Sequence, residues 1–345
     1  FHPLGGCLDE LQTAAWLAVD HLRHAESHQL TADRSMPGCS WSGDRMARIA
    51  RSCRMGLNGT SWCWACGQVT YRRVMGTTRD THAVVVGCAT GIGKALVDKA
   101  ISEQMSVALI DVDGQSIEAR ARDLRAIGVD AMAIEADVAD RDAVDNAVAA
   151  CLDHFGMLDL VFLNAGIQRQ GSFLEVSIED HLGMLTTNLI GMTICLKSFL
   201  GPMVASGRPG RIVATASSCA VFTPVGLASY NASKGGVLSL FETVHHELEA
   251  MGSPIRLSVI LPGAVATNLH DFGRYGAPTR TSSEVIVRGE AKLEHVLARY
   301  GMDPARVADV VFESIADDQF WLLPHPEITD LARRRIDALC ERRNP

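Results

Sequence analysis

A chain of 345 residues, 47% hydrophobic and 21% charged, has the length and apolar content for one large α/β domain or two ordinary ones with a substantial core. A formal net charge of -8 argues against nucleic acid or an anionic membrane surface as the main partner. No run of about 18 or more apolar residues appears, and the N-terminus lacks the charged-then-apolar layout of a secretion signal, so no membrane span is expected and the cytoplasm is the expected location.

Residues 1–80 differ in character from the rest. They hold no lysine, four of the five tryptophans (Trp16, Trp41, Trp62, Trp64) and five of the ten cysteines, with little sustained periodicity. Only residues 8–22 could form a modest amphipathic helix. This stretch is expected to be an irregular, poorly ordered extension, a fusion remnant or a start set too far upstream. Cys63 and Cys66 have the spacing of half a zinc site or a redox pair. Zinc usually takes four ligands, no second pair follows, and a thioredoxin-like role would need a βαβ context that is missing, so no metal is expected. The remaining cysteines read as thiols in a reducing compartment.

From residue 81 the pattern changes. The β-branched run 83–86 reads as a buried parallel strand, and it feeds Gly87-Cys-Ala-Thr90-Gly91-Ile92-Gly93 and then a helix to about residue 104. Glycines in such a turn let the backbone approach a pyrophosphate, which amide N–H groups and the helix dipole would bind. A second strand over 107–110 ends at Asp111, 18 residues after Gly93. A carboxylate there accepts hydrogen bonds from the adenosine ribose of NAD and repels the 2′-phosphate of NADP; Asp113 fits better as a helix cap. Further strands over 131–134 and 158–163 lead to Asp137-Val138 and Asn164-Ala165-Gly166, with a helix over about 140–155 between them. Strands and helices alternating at βαβ spacing give an α/β fold, a doubly wound parallel sheet with helices on both faces. Gly87, Asp111, Asp137 and Asn164 fall at the strands' carboxyl ends, where ligands bind in such sheets.

Tyr230 and Lys234 are four apart, one turn above each other on a helix, so an ammonium can lie close to a phenol and lower its pKa. Such a tyrosine can pass protons to and from an alcohol or carbonyl.

With these features in order, the chain from about residue 81 onward resembles the short-chain dehydrogenase/reductase family. The marks are the glycine turn, Asp137-Val138, Asn164-Ala165-Gly166, Asn188, Ser217, Tyr230 thirteen residues later, Lys234, and Pro262-Gly263-Ala-Val265-Ala-Thr267. The resemblance implies a Rossmann-type sheet of about seven strands and an oxidoreductase using NAD on an alcohol or carbonyl small molecule. It implies that Tyr230 is the general acid/base, that Lys234 lowers its pKa and binds the nicotinamide ribose, and that Ser217 orients the substrate oxygen. Asn188 would hold a water in the proton relay; Asp137 and Val138 would contact adenine, Asn164 to Gly166 line the cofactor, and Val265 and Thr267 hold the carboxamide. A homodimer or homotetramer built on the helices carrying Asn188 and Tyr230 is also implied. Two departures, Val86 for a usual threonine and Leu163 for a usual asparagine, lead us to expect a slightly less pinned cofactor loop. Separately, His2 to Cys7 resembles a short motif of glucose-methanol-choline oxidoreductases.

Ser218 is expected to support its loop through backbone contacts. Substrate choice should come from residues 168–176, 219–229 and 268–289, the last a lid or an ordinary surface loop; its composition suggests a mainly apolar substrate. A dinucleotide-binding regulator or scaffold without turnover is the alternative reading. A helix to about 317, a strand over 320–323, Pro324-His325-Pro326 and a helix carrying Arg333 to Arg335 close the chain, His325 being read as structural and the arginines as a solvated face.

Overall fold

The structure, a computed structural model, describes residues 81–267, 269, 299 and 301–344. The N-terminal extension with its Cys63/Cys66 pair, and the expected lid apart from Leu269, lie outside the described residues. Strands β1 (His82–Val86), β2 (Ser106–Asp111), β3 (Ala131–Glu135), β4 (Leu160–Leu163), β5 (Gly210–Thr215), β6 (Ile255–Ile260) and β7 (Trp321–Leu322) form one parallel sheet. Their spatial order is β3-β2-β1-β4-β5-β6-β7. The order reverses between β1 and β4, which opens a crevice beyond their carboxyl ends.

Each face of the sheet is apolar because successive side chains of a strand point opposite ways. Val84 and Val86 of β1 join a core beneath α3 (Arg141–Phe155), α5 (Met192–Ala205) and α6 (Ala228–Ala250), with Leu196, Phe199 and Phe241 at its centre. Ala83 and Val85 face the other way, under α1 (Gly91–Ser102), α2 (Gly114–Ala126) and α7 (Pro304–Ala316), where Leu96, Phe162 and Phe312 pack. The two layers of helices follow from the right-handed crossovers that parallel strands require.

Helix starts are set locally. Asp113, Asp140 and Asp303 each accept a backbone N–H from the first turn of α2, α3 and α7, as N-caps do. Between α4 (Ile178–Leu185) and α5 the chain makes a π-helical turn, Thr186–Gly191. Together these span 28 residues, long and apolar enough to cross a membrane, although no uninterrupted apolar run of that length occurs in the sequence. In the fold the segment packs through Met192, Cys195, Leu196 and Phe199 onto the sheet, while Ile178, Leu182 and Ile190 stay exposed.

The edge of the sheet is locked by Arg211, which is 1% exposed on β5. Its guanidinium donates to Ser258 Oγ on β6, to Gln319 O at 3.1 Å and to the Asp318 carboxylate, linking β5 and β6 to the turn that leads into β7. Replacing Arg211 with alanine removes these bonds and leaves a void, and should lower stability by about 3 kcal/mol. Urea unfolding should show the midpoint falling at constant slope; a loss below about 1 kcal/mol would show the cluster to be dispensable.

Candidate functional site

A cleft of about 1060 Å³, open solvent included, lies along the carboxyl ends of β1, β2, β4, β5 and β6. At one end is the glycine turn between β1 and α1. Gly87 (φ +81°) and Gly91 (φ +58°) use backbone conformations that side chains disfavour. A methyl on Gly87 would sit 2.4 Å from Ala165 N, so the turn and the Asn164-Ala165-Gly166 strand end touch through backbone. Gly93 faces away from the cleft and packs on the turn: a methyl there would lie 1.9 Å from Gly87 O. Thr90, Gly91 and Ile92 line the cleft at the start of α1, whose first turn carries no acidic residue.

The turn is tied by bonds that do not involve the side chains of Val86 or Leu163. Gly87 N–H donates to Ile110 O at 2.7 Å, Asn164 Nδ2 donates to Gly87 O at 2.8 Å, and Ala89 N–H donates to Asp111 Oδ2 at 2.8 Å. Asp111 also takes the Asp113 N–H at 3.0 Å. These two bonds leave half of the carboxylate's lone pairs free beside the cleft. Val112, the next residue, is exposed and uncharged. Asp137 and Val138 line the wall beyond β3, with the aspartate accepting Ala139 N–H at 2.9 Å.

At the other end Tyr230 and Lys234, one turn apart on α6, are 5% and 3% exposed. Lys234 Nζ lies 5.7 Å from the phenol ring centroid and donates to Thr215 O at the end of β5, at 2.9 Å. Burial pushes the ammonium's pKa down to about 8. The phenol's pKa is raised, first by burial and then by the Cys219 thiol, with the Ser217 hydroxyl opposing. This reverses the direction expected from the sequence. Removal from water is the largest cause, and the lysine, whose own pKa burial draws down, is not among the groups that oppose it.

Ser217 is buried at the start of a short 3₁₀ turn and accepts Cys219 N–H at 3.1 Å. Ser218 acts through backbone, its N–H donating to Pro262 O at 2.8 Å. Asn188 is fully buried in the π-helical turn, which is common at functional positions. Its Oδ1 accepts Ile167 N–H at 2.8 Å, and its Nδ2 donates to Ile167 O at 2.8 Å and to Ser233 Oγ at 3.1 Å. A methyl on Gly166 would be 3.3 Å from both Asn188 Oδ1 and Lys234 Nζ, so the three meet without contact to spare. Pro262 and Thr267 line the cleft, whereas Gly263 and the buried Val265 shape their loop from behind.

Sequence reasoning missed several wall residues. Thr215 lines the cleft with its buried Oγ1 lacking a hydrogen-bond partner, and Thr187, Ala216 and Leu269 also contribute. Around the phenol, Met184, Leu227, Ile167, Cys219 and Leu269 form an apolar cluster. His181 bridges Ser229 Oγ and Phe173 O, and Arg169 pairs with Asp180 at 3.2 Å, tying residues 168–176 to α4 and α6. Among the described residues, one group of side chains could hold a metal ion, His245, His246 and Glu249. It begins fifteen positions beyond Tyr230 on α6, about 22 Å along the helix, and takes no part in the cleft.

Glycine cradle, strand-end carboxylate, an orphaned hydroxyl and a buried Tyr/Lys pair along one crevice suit a nicotinamide dinucleotide. Residues 81–274 match the short chain dehydrogenase family, and the chain belongs to it. It is therefore an oxidoreductase of the kind that acts on small molecules with a nicotinamide dinucleotide. A CLA biosynthesis dehydrogenase/reductase of Lactiplantibacillus plantarum is 27% identical over 268 residues, 76% of this chain and 93% of that protein. A 1-deoxy-11-beta-hydroxypentalenate dehydrogenase of Streptomyces exfoliatus is 29% identical over 257 residues, 74% of this chain and 86% of that one. Among solved structures, a short chain dehydrogenase/reductase from Burkholderia phymatum in complex with NAD superposes with a TM-score of 0.72 at 30% identity, covering 77% of this chain and 96% of that one.

Because Gly93 packs against Gly87 O, Gly93→Ala must displace the turn. Dinucleotide affinity should fall by about tenfold or more. Fluorescence titration with NAD measures it, and unchanged binding would show that the turn does not carry the cofactor.

Proposed function

We propose that the protein moves a hydride between NAD and a secondary alcohol or ketone of largely apolar character, with Tyr230 as general acid/base. The observation that carries this is the burial of Tyr230 and Lys234 at one end of a cleft whose other end holds Asp111, with the buried Ser217 hydroxyl against the phenol. Bound in that cleft, NAD would supply the hydride acceptor, and its reduced form the donor.

The protein's own part is proton handling and placement. Ser217 Oγ, beside the phenol, would hold the substrate oxygen. Tyr230 would exchange the proton with that oxygen, and Lys234, within reach of the ribose side of the cleft, would favour the phenolate by its charge. Asn188 would fix the backbone of residue 167 and use its remaining Oδ1 lone pair for a relay water. Glycine turn and α1 would receive the pyrophosphate, Asp111 the ribose hydroxyls, and the 262–267 loop the carboxamide. The apolar surroundings of the phenol, and the exposed Phe173, Leu174 and Phe222 on the flanking segments, support an apolar substrate. A relative named for a hydroxylated compound agrees with an alcohol. The exposed Ile178, Leu182 and Ile190 on the long helix support pairing of copies through that face.

The sign of the pH dependence follows from the raised phenol. Protonated at neutral pH, Tyr230 is ready to donate to a carbonyl, whereas oxidation needs the phenolate. Oxidation should accelerate as pH rises, because the phenolate fraction rises with it. Tyr230→Phe should lower turnover by about a hundredfold or more while NAD binds as before. Turnover followed by absorbance of reduced nicotinamide, together with a binding titration on the same preparation, tests both; retained turnover rejects the assignment.

Asp111 would set the choice of dinucleotide. In Asp111→Ala the ratio of kcat/KM for NAD to that for NADP should drop by about tenfold or more, since a carboxylate that repels a 2′-phosphate is gone. An unmoved ratio would take Asp111 out of the ribose site.

A further inference from the structure

Two parallel strands carry a histidine to the loop that faces the nicotinamide end. β6 and β7 pair with Ile260 opposite Leu322, so Gly263 and His325, each three residues further on, emerge at the same height. Gly263 N–H donates to His325 Nδ1 at 3.0 Å, and His325 Nε2 meets Ala264 O at 3.0 Å. The amide can only donate and the carbonyl can only accept. The ring is therefore the neutral tautomer with its proton on Nε2, and it clamps the 262–263 and 264–265 peptide groups, which flank the one between Gly263 and Ala264.

The fit is close. A methyl on Gly263 would stand 3.0 Å from His325 Cγ, so the ring lies directly against the loop backbone, and His325 is itself buried. Flanking prolines, Pro324 and Pro326, restrict the backbone that carries the ring, and His325 O accepts Ile328 N–H at 3.1 Å to start α8 (Ile328–Cys340). On the other side of the loop, Met302 N–H donates to Ala264 O at 2.9 Å and Ala266 N–H donates to Met302 O at 2.9 Å. The Ala264 carbonyl thus takes both the imidazole and a backbone amide, which fixes the peptide plane that leads to Val265 and Thr267.

We propose that His325 is a positioning residue for the cofactor: by holding the Gly263 and Ala264 peptides it orients the loop that receives the nicotinamide carboxamide. This rests on the reading of residues 262–267 given above. ADP-ribose, which has the pyrophosphate and adenosine but no nicotinamide, separates a local effect from a general one. NAD and ADP-ribose are titrated against the full-length wild type, His325→Phe, His325→Gln and Gly263→Ala, with unliganded melting as a check on folding.

His325→Phe keeps a ring of similar bulk but leaves a buried N–H without a partner, so NAD should bind about tenfold more weakly. ADP-ribose affinity should stay within about twofold. His325→Gln offers one acceptor and one donor in a single plane and should recover most of the NAD affinity. Gly263→Ala, whose methyl presses on the ring, should reproduce the NAD-selective loss without altering the histidine, which decides the matter if His325→Phe fails to fold. Equal weakening of NAD and ADP-ribose, unchanged NAD binding, or a glutamine variant as weak as the phenylalanine one would each overturn the proposal. A wild type that binds NAD no more tightly than ADP-ribose would instead remove the carboxamide loop from the cofactor site, and one that binds neither would remove the NAD reading, each taking the proposal with it.

Discussion

The structure depends on an ammonium taken out of water. Lys234 can be 3% exposed only because Thr215, at the last position of β5, turns its carbonyl toward Nζ. A buried lysine left without such a partner would lose its charge or destabilise the fold, and its pKa is already drawn down to about 8. This one bond sets the end of a strand against the first turns of α6, and so places Tyr230 at the edge of the cleft. Much else is arranged to keep water away from it: Gly166 approaches without a side chain, and Asn188 closes the space behind.

Much of this was legible in the sequence because it follows from local rules. Apolar runs identified β1 to β4 to within a residue or two, since parallel strands buried on both faces are nearly continuous in apolar residues, and α3 likewise, whereas α1 begins three residues before the expected start. Asp113 was read as a cap and Asp111 as the strand-end carboxylate, and both hold those places. The strand at Ile255–Ile260 was not singled out: its Arg256 and Ser258 break the apolar run, and Ser258 is buried there because Arg211 uses it.

What could not be read depends on three-dimensional neighbours. Asn188 was singled out through the resemblance alone; only the fold shows the π-helical turn and the Ile167 backbone that satisfies it. The phenol's pKa carries the wrong sign in a helical-spacing argument, because spacing places a charge nearby but does not report the water that both groups lose. Arginines 333 to 335 read as a solvated face, yet Arg335 Nη1 reaches Ala220 O at 3.2 Å, beside the serine loop. His325 was read as structural with its partners out of sight, and Thr215 gave no signal, since one acts on a loop sixty residues upstream and the other through a carbonyl and a hydroxyl that any residue pattern would hide.

These long-range ties share a logic. In a parallel sheet every strand delivers its next residue to the same edge, so the loops there meet without being sequence neighbours. The early strands supply glycine turn and carboxylate, which need only backbone freedom and one acidic side chain and are therefore visible as motifs. The later strands supply loops whose backbone must be oriented, and orientation takes partners: Ser218 for Pro262, Met302 and His325 for Ala264, Arg335 for Ala220. The half that would bind adenosine is thus largely self-supporting, while the half that would meet the nicotinamide and substrate is braced by the C-terminal segment. Variation in that segment can retune the reacting end while leaving the dinucleotide cradle intact, which is how one fold accommodates many substrates.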